Sequence, residues 1–284
     1  RESNARSWAA MRTDHPMMIT VTAPLERDLV RSATGTLPSL GEDLGVTMGV
    51  KTGVSESSLS TVARPKLSAS LARLCRKQGM ELALAARNTD KLSDLAAETG
   101  AKVYACDASV PDDVERLFDS VDADMGVPDL VVFNASARVR GGVHEIDPVA
   151  VQQAVNVTCF GGFLVGHHAA KRMLPRKSGS ILFTGASASV KGYANSSCFA
   201  MGKFGLRGLC QSMARELAPE NIHVAHFVID GGINAGPGDE RAARLGEDGT
   251  LEPDAIAETY LHIHRQHRSA WTWEVELRPW VENF

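Results

Sequence analysis

The feature that most constrains this chain is a regular alternation of two kinds of segment between residues 80 and 232. MELALAAR (80–87), AKVYACDAS (101–109), PDLVVFNAS (128–136), GSILFTGAS (179–187) and IHVAHFVIDGG (222–232) are short apolar runs ending in small or polar residues. Between them lie helical patterns: NTDKLSDLAAETG (88–100), VPDDVERLFDSVDADMG (110–126), the long apolar stretch 144–174, and SCFAMGKFGLRGLCQSMARELAP (197–219). A strand that is apolar on both faces must be covered on both faces. Strands separated by helices pair in parallel, with right-handed crossovers. The pattern predicts a doubly wound parallel sheet flanked by helices, a three-layer α/β/α fold. Such sheets bind ligands just beyond the carboxyl ends of their strands.

The rest of the chain is read around that pattern. Residues 1–45 show no clear period and read as a loosely ordered N-terminal extension. VTMGVK (46–51) reads as the first strand. A Ser-rich segment then leads to a helix in ARPKLSASLARLCRKQG that stops at Gly79. Residues 46–284 then form a single domain, with 233–284 as a substrate-loop region. That region includes the helical PDAIAETYLHIHRQ and the strand-like WTWEVELRP.

Composition excludes several classes. The 284 residues are 44% hydrophobic, enough for a sizeable core, and the net charge is −4. Bases are interleaved with acids, so no nucleic-acid partner is expected. No apolar run of membrane-spanning length stands out, so no membrane partner is expected. The five cysteines (75, 106, 159, 198 and 210) are widely spaced with no CxxC, which points to reduced thiols and a cytoplasmic protein. His262, His264 and His267 lack an accompanying carboxylate or cysteine set, so no metal site is expected.

The strand ends carry the chemistry. Arg87 follows the 80–87 run, where a basic side chain suits the extra phosphate of NADP(H) over NAD(H). Asp107-Ala108 can contact an adenine ring or cap the next helix. Asn134 and Ala135 fall where a backbone approaches a ligand closely, and Gly185-Ala186-Ser187 precedes a loop ending at Lys203. Asp230-Gly231-Gly232-Ile233 closes the series. GASAS is similar to a nucleophile elbow, but Ser189 replaces its last glycine.

In order and spacing, Asp107-Ala108, FNASA, Asn156, GASAS…FAMGK and Asp230-Gly231 resemble the motifs of the short-chain dehydrogenase/reductase family over roughly residues 46–280. The resemblance implies a Rossmann-type fold and an NAD(P)(H)-dependent oxidoreductase acting on a carbonyl or alcohol. It also implies cofactor contacts from Gly53, Arg87, Asp107, Ala108, Asn134, Ala135, Lys203, Gly231 and Ile233. Lys203 and Asn156 match family catalytic positions. The family tyrosine falls on Phe199 and the family serine on Ala186, which leaves Ser187 as a substitute hydroxyl. The family's glycine-rich loop falls on Val62, Lys66 and Ser68 in one register. In the other, KTGVSESSL keeps Thr52-Gly53. The resemblance implies a small-molecule substrate and a homodimer or homotetramer formed through helices 150–170 and 197–216. The substitutions leave an alternative open: a catalytically silent relative that binds a nucleotide or only a partner.

Overall fold

The computed structural model describes residues 17–281 with the exception of 23–66, and for 17–22 it describes the backbone alone. Among the described residues, seven strands form one sheet: β1 (Met17–Thr22), β2 (Glu81–Ala86), β3 (Lys102–Ala105), β4 (Leu130–Asn134), β5 (Gly179–Thr184), β6 (Ile222–Ile229) and β7 (Glu274–Leu277). All pairings are parallel, in the order β3-β2-β1-β4-β5-β6-β7. The order runs outward in both directions from β1 and β4, so the crevice of a doubly wound sheet lies there.

Among the described residues there are eight α-helices: α1 (Leu67–Lys77), α2 (Ser93–Thr99), α3 (Pro111–Asp124), α4 (Pro148–Val155), α5 (Gly161–Met173), α6 (Ser197–Leu217), α7 (Glu240–Leu245) and α8 (Pro253–His264). On one face, Phe118 of α3, Val165 of α5 and Leu206 of α6 pack on Val131, Phe133 and Phe183 of the sheet. On the other, Leu71 of α1 and Tyr260 of α8 pack on Leu84, Val132 and Phe227. The Phe227 and Tyr260 rings stack with centroids 3.5 Å apart. All eight residues of β6 are buried, as a two-faced apolar run requires. Gly79 takes φ +80, the left-handed conformation that lets the chain turn from α1 into β2.

Two expectations need correction. The sheet begins inside the segment read as an extension: Met17–Thr22 is β1, with Val21 opposite Ala85 and Thr22 opposite Asn134. Its Ile19-Thr20-Val21-Thr22 core is β-branched throughout, the side-chain class that suits a pleated surface. The proposed first strand, 46–51, lies outside the described residues, as do Gly53, Val62 and Lys66. The second concerns the run Pro148–Arg176, one 29-residue helix apolar and long enough by composition to cross a membrane. Its α5 portion buries Leu164, Val165, Ala169 and Met173 in the core below the sheet. Its path is not uniformly α-helical, because Asn156–Phe160 forms a π turn.

Candidate active site

The carboxyl ends of β4, β5 and β6 meet the first turns of α6, and the helix itself sets the geometry. Phe199, Lys203 and Arg207 are four residues apart, so they share one face. Lys203 is 2% exposed, and its Nζ donates a 2.6 Å hydrogen bond to the Thr184 carbonyl at the end of β5. That uses one of three ammonium donors, leaving two for a ligand. Burial, and then the nearby Arg138 charge, push the Lys203 ammonium down to about 7. The Thr184 hydroxyl is paired with the Tyr260 hydroxyl at 2.8 Å, which fixes the strand end from the opposite face.

Phe199 is 6% exposed and lies between two cations. The Arg138 guanidinium carbon is 3.7 Å from its ring centroid, and Lys203 Nζ is 5.8 Å away. A cation over an aromatic face is stabilised by the ring quadrupole. Arg138, which the strand-end reading passed over, stands four residues beyond β4. Its Nε is buried without a hydrogen-bond partner. Burial, with Arg140 and Arg241 adding to it, lowers Arg138 to about 10.

The other expected residues divide. Ser187 opens a short 3₁₀ turn, Ser187–Ser189, is half-buried, and has no side-chain hydrogen bond among the described residues. Ser189 is fully buried and structural, its Oγ accepting the Ala186 N–H at 3.1 Å. Asn156 is exposed and makes no side-chain hydrogen bond among the described residues, so the structure does not bring it into this group. Thr158, two residues further along the π turn, is the buried one. Its Oγ1 accepts the Ala137 N–H at 2.9 Å, and a Cβ on Gly202 would lie 2.9 Å from its own Cβ. The π turn rotates the helix face between 156 and 158, a shift that counting by motif does not register.

On the cofactor side, Asn134 Nδ2 donates to Ser68 Oγ at 2.8 Å and ties β4 to the first turn of α1. A helix start beside a strand end is where a doubly wound sheet holds a pyrophosphate. Arg87 is half-buried just past β2. Asp107 is engaged locally, its Oδ1 accepting the Ser109 N–H at 2.9 Å and the Ser109 hydroxyl at 2.5 Å. Ala108 and Ala135 are fully buried. Gly231 and Ile233 follow β6, with Ile233 bridged to Leu251. The residues present at the Lys203 end fit a nicotinamide nucleotide: a buried cation with spare donors at the strand-end crevice. The loop joining β1 to α1, residues 23–66, lies outside the described residues.

Beside this cluster sits a second buried one. His226 Nδ1 is 3.1 Å from Glu274 Oε2, and Arg207 grips the same carboxylate through bonds of 2.6 and 2.7 Å. Those Arg207 bonds hold the Glu274 carboxyl below the usual carboxylate range. His223 and His226 contact different partners, His223 Nε2 lying 2.9 Å from the Thr272 carbonyl.

A doubly wound parallel sheet in the order β3-β2-β1-β4-β5-β6-β7 defines a Rossmann-type α/β protein. A family model described as enoyl-(acyl carrier protein) reductase matches residues 66–252. The chain belongs to the short-chain dehydrogenase/reductase family. A short-chain dehydrogenase from Rhodopseudomonas palustris is 33% identical, with 75% of this chain and 93% of that one covered and a TM-score of 0.64. A metagenomic short-chain oxidoreductase solved with NADP is 27% identical, covering 75% of this chain and 92% of its own, with a TM-score of 0.65. A (21S)-21-acetoxyl-apo-melianone synthase of Melia azedarach is 31% identical over 140 residues, 48% of this chain and 52% of that protein. The chain thus spans about half the length of the curated relatives it matches.

Proposed function

We propose that this protein is an NADP(H)-linked oxidoreductase that interconverts a small-molecule carbonyl and its alcohol. The observation that carries the reading is Lys203, sealed at the end of β5 with donors to spare, in a chain of this family. The NADP complex of the metagenomic relative and the basic residue after β2 favour NADP(H) over NAD(H).

When bound, the nicotinamide cofactor supplies the hydride, and one proton completes the reduction of a carbonyl to an alcohol. The chain's own groups hold and deliver that proton. Phe199 has none to give, so the donor nearest the reacting end is the Lys203 ammonium, whose affinity for its proton is matched to neutral pH. Ser187 supplies a hydroxyl from the adjoining turn. The Phe199 ring covers the ammonium and keeps bulk water from it.

We place the active unit in the cytoplasm as a homodimer or homotetramer. All five cysteines are free thiols. Phe160 and Phe163 on the α4–α5 run, and Met201 and Phe204 on α6, expose apolar side chains that a second copy would cover.

The test is a fluorescence titration with NADPH and NADH, followed by NADPH oxidation against a panel of aldehydes and ketones. Tighter NADPH binding and turnover of at least one carbonyl are expected. Absence of binding to both nucleotides would remove the reading. Light scattering checks assembly, with Phe163→Glu plus Phe204→Glu expected to give monomers.

A further inference from the structure

The groups around Phe199 are unbalanced in charge. Arg138 stacks on one face of the ring at 3.7 Å with its Nε buried and unpaired. Lys203 lies 5.8 Å from the same ring, bonded to a carbonyl rather than to an acid. Arg241, in the first turn of α7, lays its guanidinium over Gly232, where a Cβ would come within 2.6 Å of Cζ. Among the described residues, no ion pair involves Arg138, Arg140, Lys203 or Arg241. The charges that act on Arg138 are the cations Arg140 and Arg241, and the charge that acts on Lys203 is Arg138.

Cations gathered without an acid repel one another, and burial raises the cost of Arg138 and Lys203. Nothing among the described residues answers these charges, so an entering anion would stabilise them. The cofactor's own phosphates sit elsewhere in a sheet of this kind. The pyrophosphate belongs at the start of α1 beyond β1, and an additional ribose phosphate at the end of β2. Arg138 follows β4 and faces Phe199, the position that the family resemblance sets against the reacting oxygen. The anion therefore belongs to the substrate. A guanidinium presents a planar fork of donors that fits the two oxygens of a carboxylate.

We propose that Arg138 and Arg241 select a substrate carrying a carboxylate, held beside the carbonyl or alcohol that reacts near Lys203. The proposal builds on the oxidoreductase reading and adds the charge of the substrate. It also gives Phe199 a role: its ring is the platform on which the Arg138 fork rests.

The experiment is titration calorimetry on the full chain with NADPH present, using acetate against acetamide and benzoate against benzamide. At least one carboxylate is expected to bind tenfold or more tightly than its amide. Arg138→Gln and Arg241→Gln should each reduce that preference by about tenfold, the scale of a lost charge-assisted hydrogen bond. Arg138→Lys should retain part of it, since it keeps the charge and loses the fork. Melting curves identify any variant that fails to fold. Arg241 is exposed, so its variant carries the test if the buried Arg138 variant does not fold.

Equal affinity for acid and amide would overturn the proposal, as would a preference that survives both substitutions. So would no binding by any of the four probes at about 10 mM. Loss of NADPH affinity in Arg138→Gln, with the acid preference intact, would also overturn it by assigning the fork to the cofactor. NADPH oxidation by neutral aldehydes without a carboxylate preference sinks this proposal and keeps the oxidoreductase reading. A carboxylate preference with no carbonyl turned over does the reverse.

Discussion

Two buried charge clusters share helix α6, one turn apart, and they are built on opposite principles. Around Arg207, a carboxylate takes both guanidinium bonds and one imidazole, so the charges are answered inside the protein. Among the described residues no acid forms an ion pair with Lys203, Arg138 or Arg241. The first arrangement holds β7 to β6 and α6, because Glu274 stands on β7, His226 on β6 and Arg207 on α6. The second holds nothing together by charge and instead is completed from outside. The difference separates a structural network from a binding site more sharply than burial does, since Lys203, Arg138, Arg207 and Glu274 are all buried or half-buried.

Breaking each cluster should have distinct effects. The largest is expected from Lys203→Met. It removes the proposed proton donor, and should lower kcat/KM for any accepted carbonyl by about 10²–10⁴-fold. Stopped-flow NADPH oxidation measures it. Next comes Glu274→Gln, which takes the acid from between Arg207 and His226 and should cost about 3 kcal/mol of stability in urea unfolding. Arg138→Met in the same assay should stay within about 1 kcal/mol of the parent, because it relieves an unanswered charge as it removes packing. Equal losses from the two variants would erase the distinction between the clusters.

A smaller effect follows from pH. His226 and His264 are each held at about 4 by burial, against 6.5 when unfolded. The unfolded chain therefore binds protons that the folded one refuses as pH falls below 6.5. The stability tied to the neutral rings is whole above that value and drains away down to about pH 4. The loss should register as a melting temperature that falls steadily with pH across that window. The smallest expected effect is on the alkaline side. Activity that needs the Lys203 ammonium should decline above about pH 7, and Arg138→Gln should move that decline upward because a like charge has gone. A pH profile that does not move would uncouple the two side chains.

Much of this was legible in the sequence, and the exceptions have physical causes. From Met80 onward, two-faced apolar strands and capped helices gave nearly every element, since burial on both faces leaves little freedom of pattern. β1 was misplaced because MMITVT and VTMGVK are similar strand-like runs. Only pairing with β2 and β4 distinguishes the first, and pairing is not local. Lys203 and Phe199 were legible from spacing along one helix. Thr158 was not, because a π turn breaks the periodicity on which spacing relies. Arg138 was missed because the strand-end reading stopped at Ala137. Its signal was a basic residue just beyond a small-residue stretch, and only the stack on Phe199 gives it meaning.

Gly232 offers a way to tune this pocket without altering any reactive group. A methyl group there would first meet the far end of the Arg241 side chain, which can swing aside at little cost to the fold. Gly232→Ala would then act as a steric dial, displacing one cation while leaving Arg138, Phe199 and Lys203 in place. The pocket's appetite for charge is adjustable through the smallest side chain in the protein.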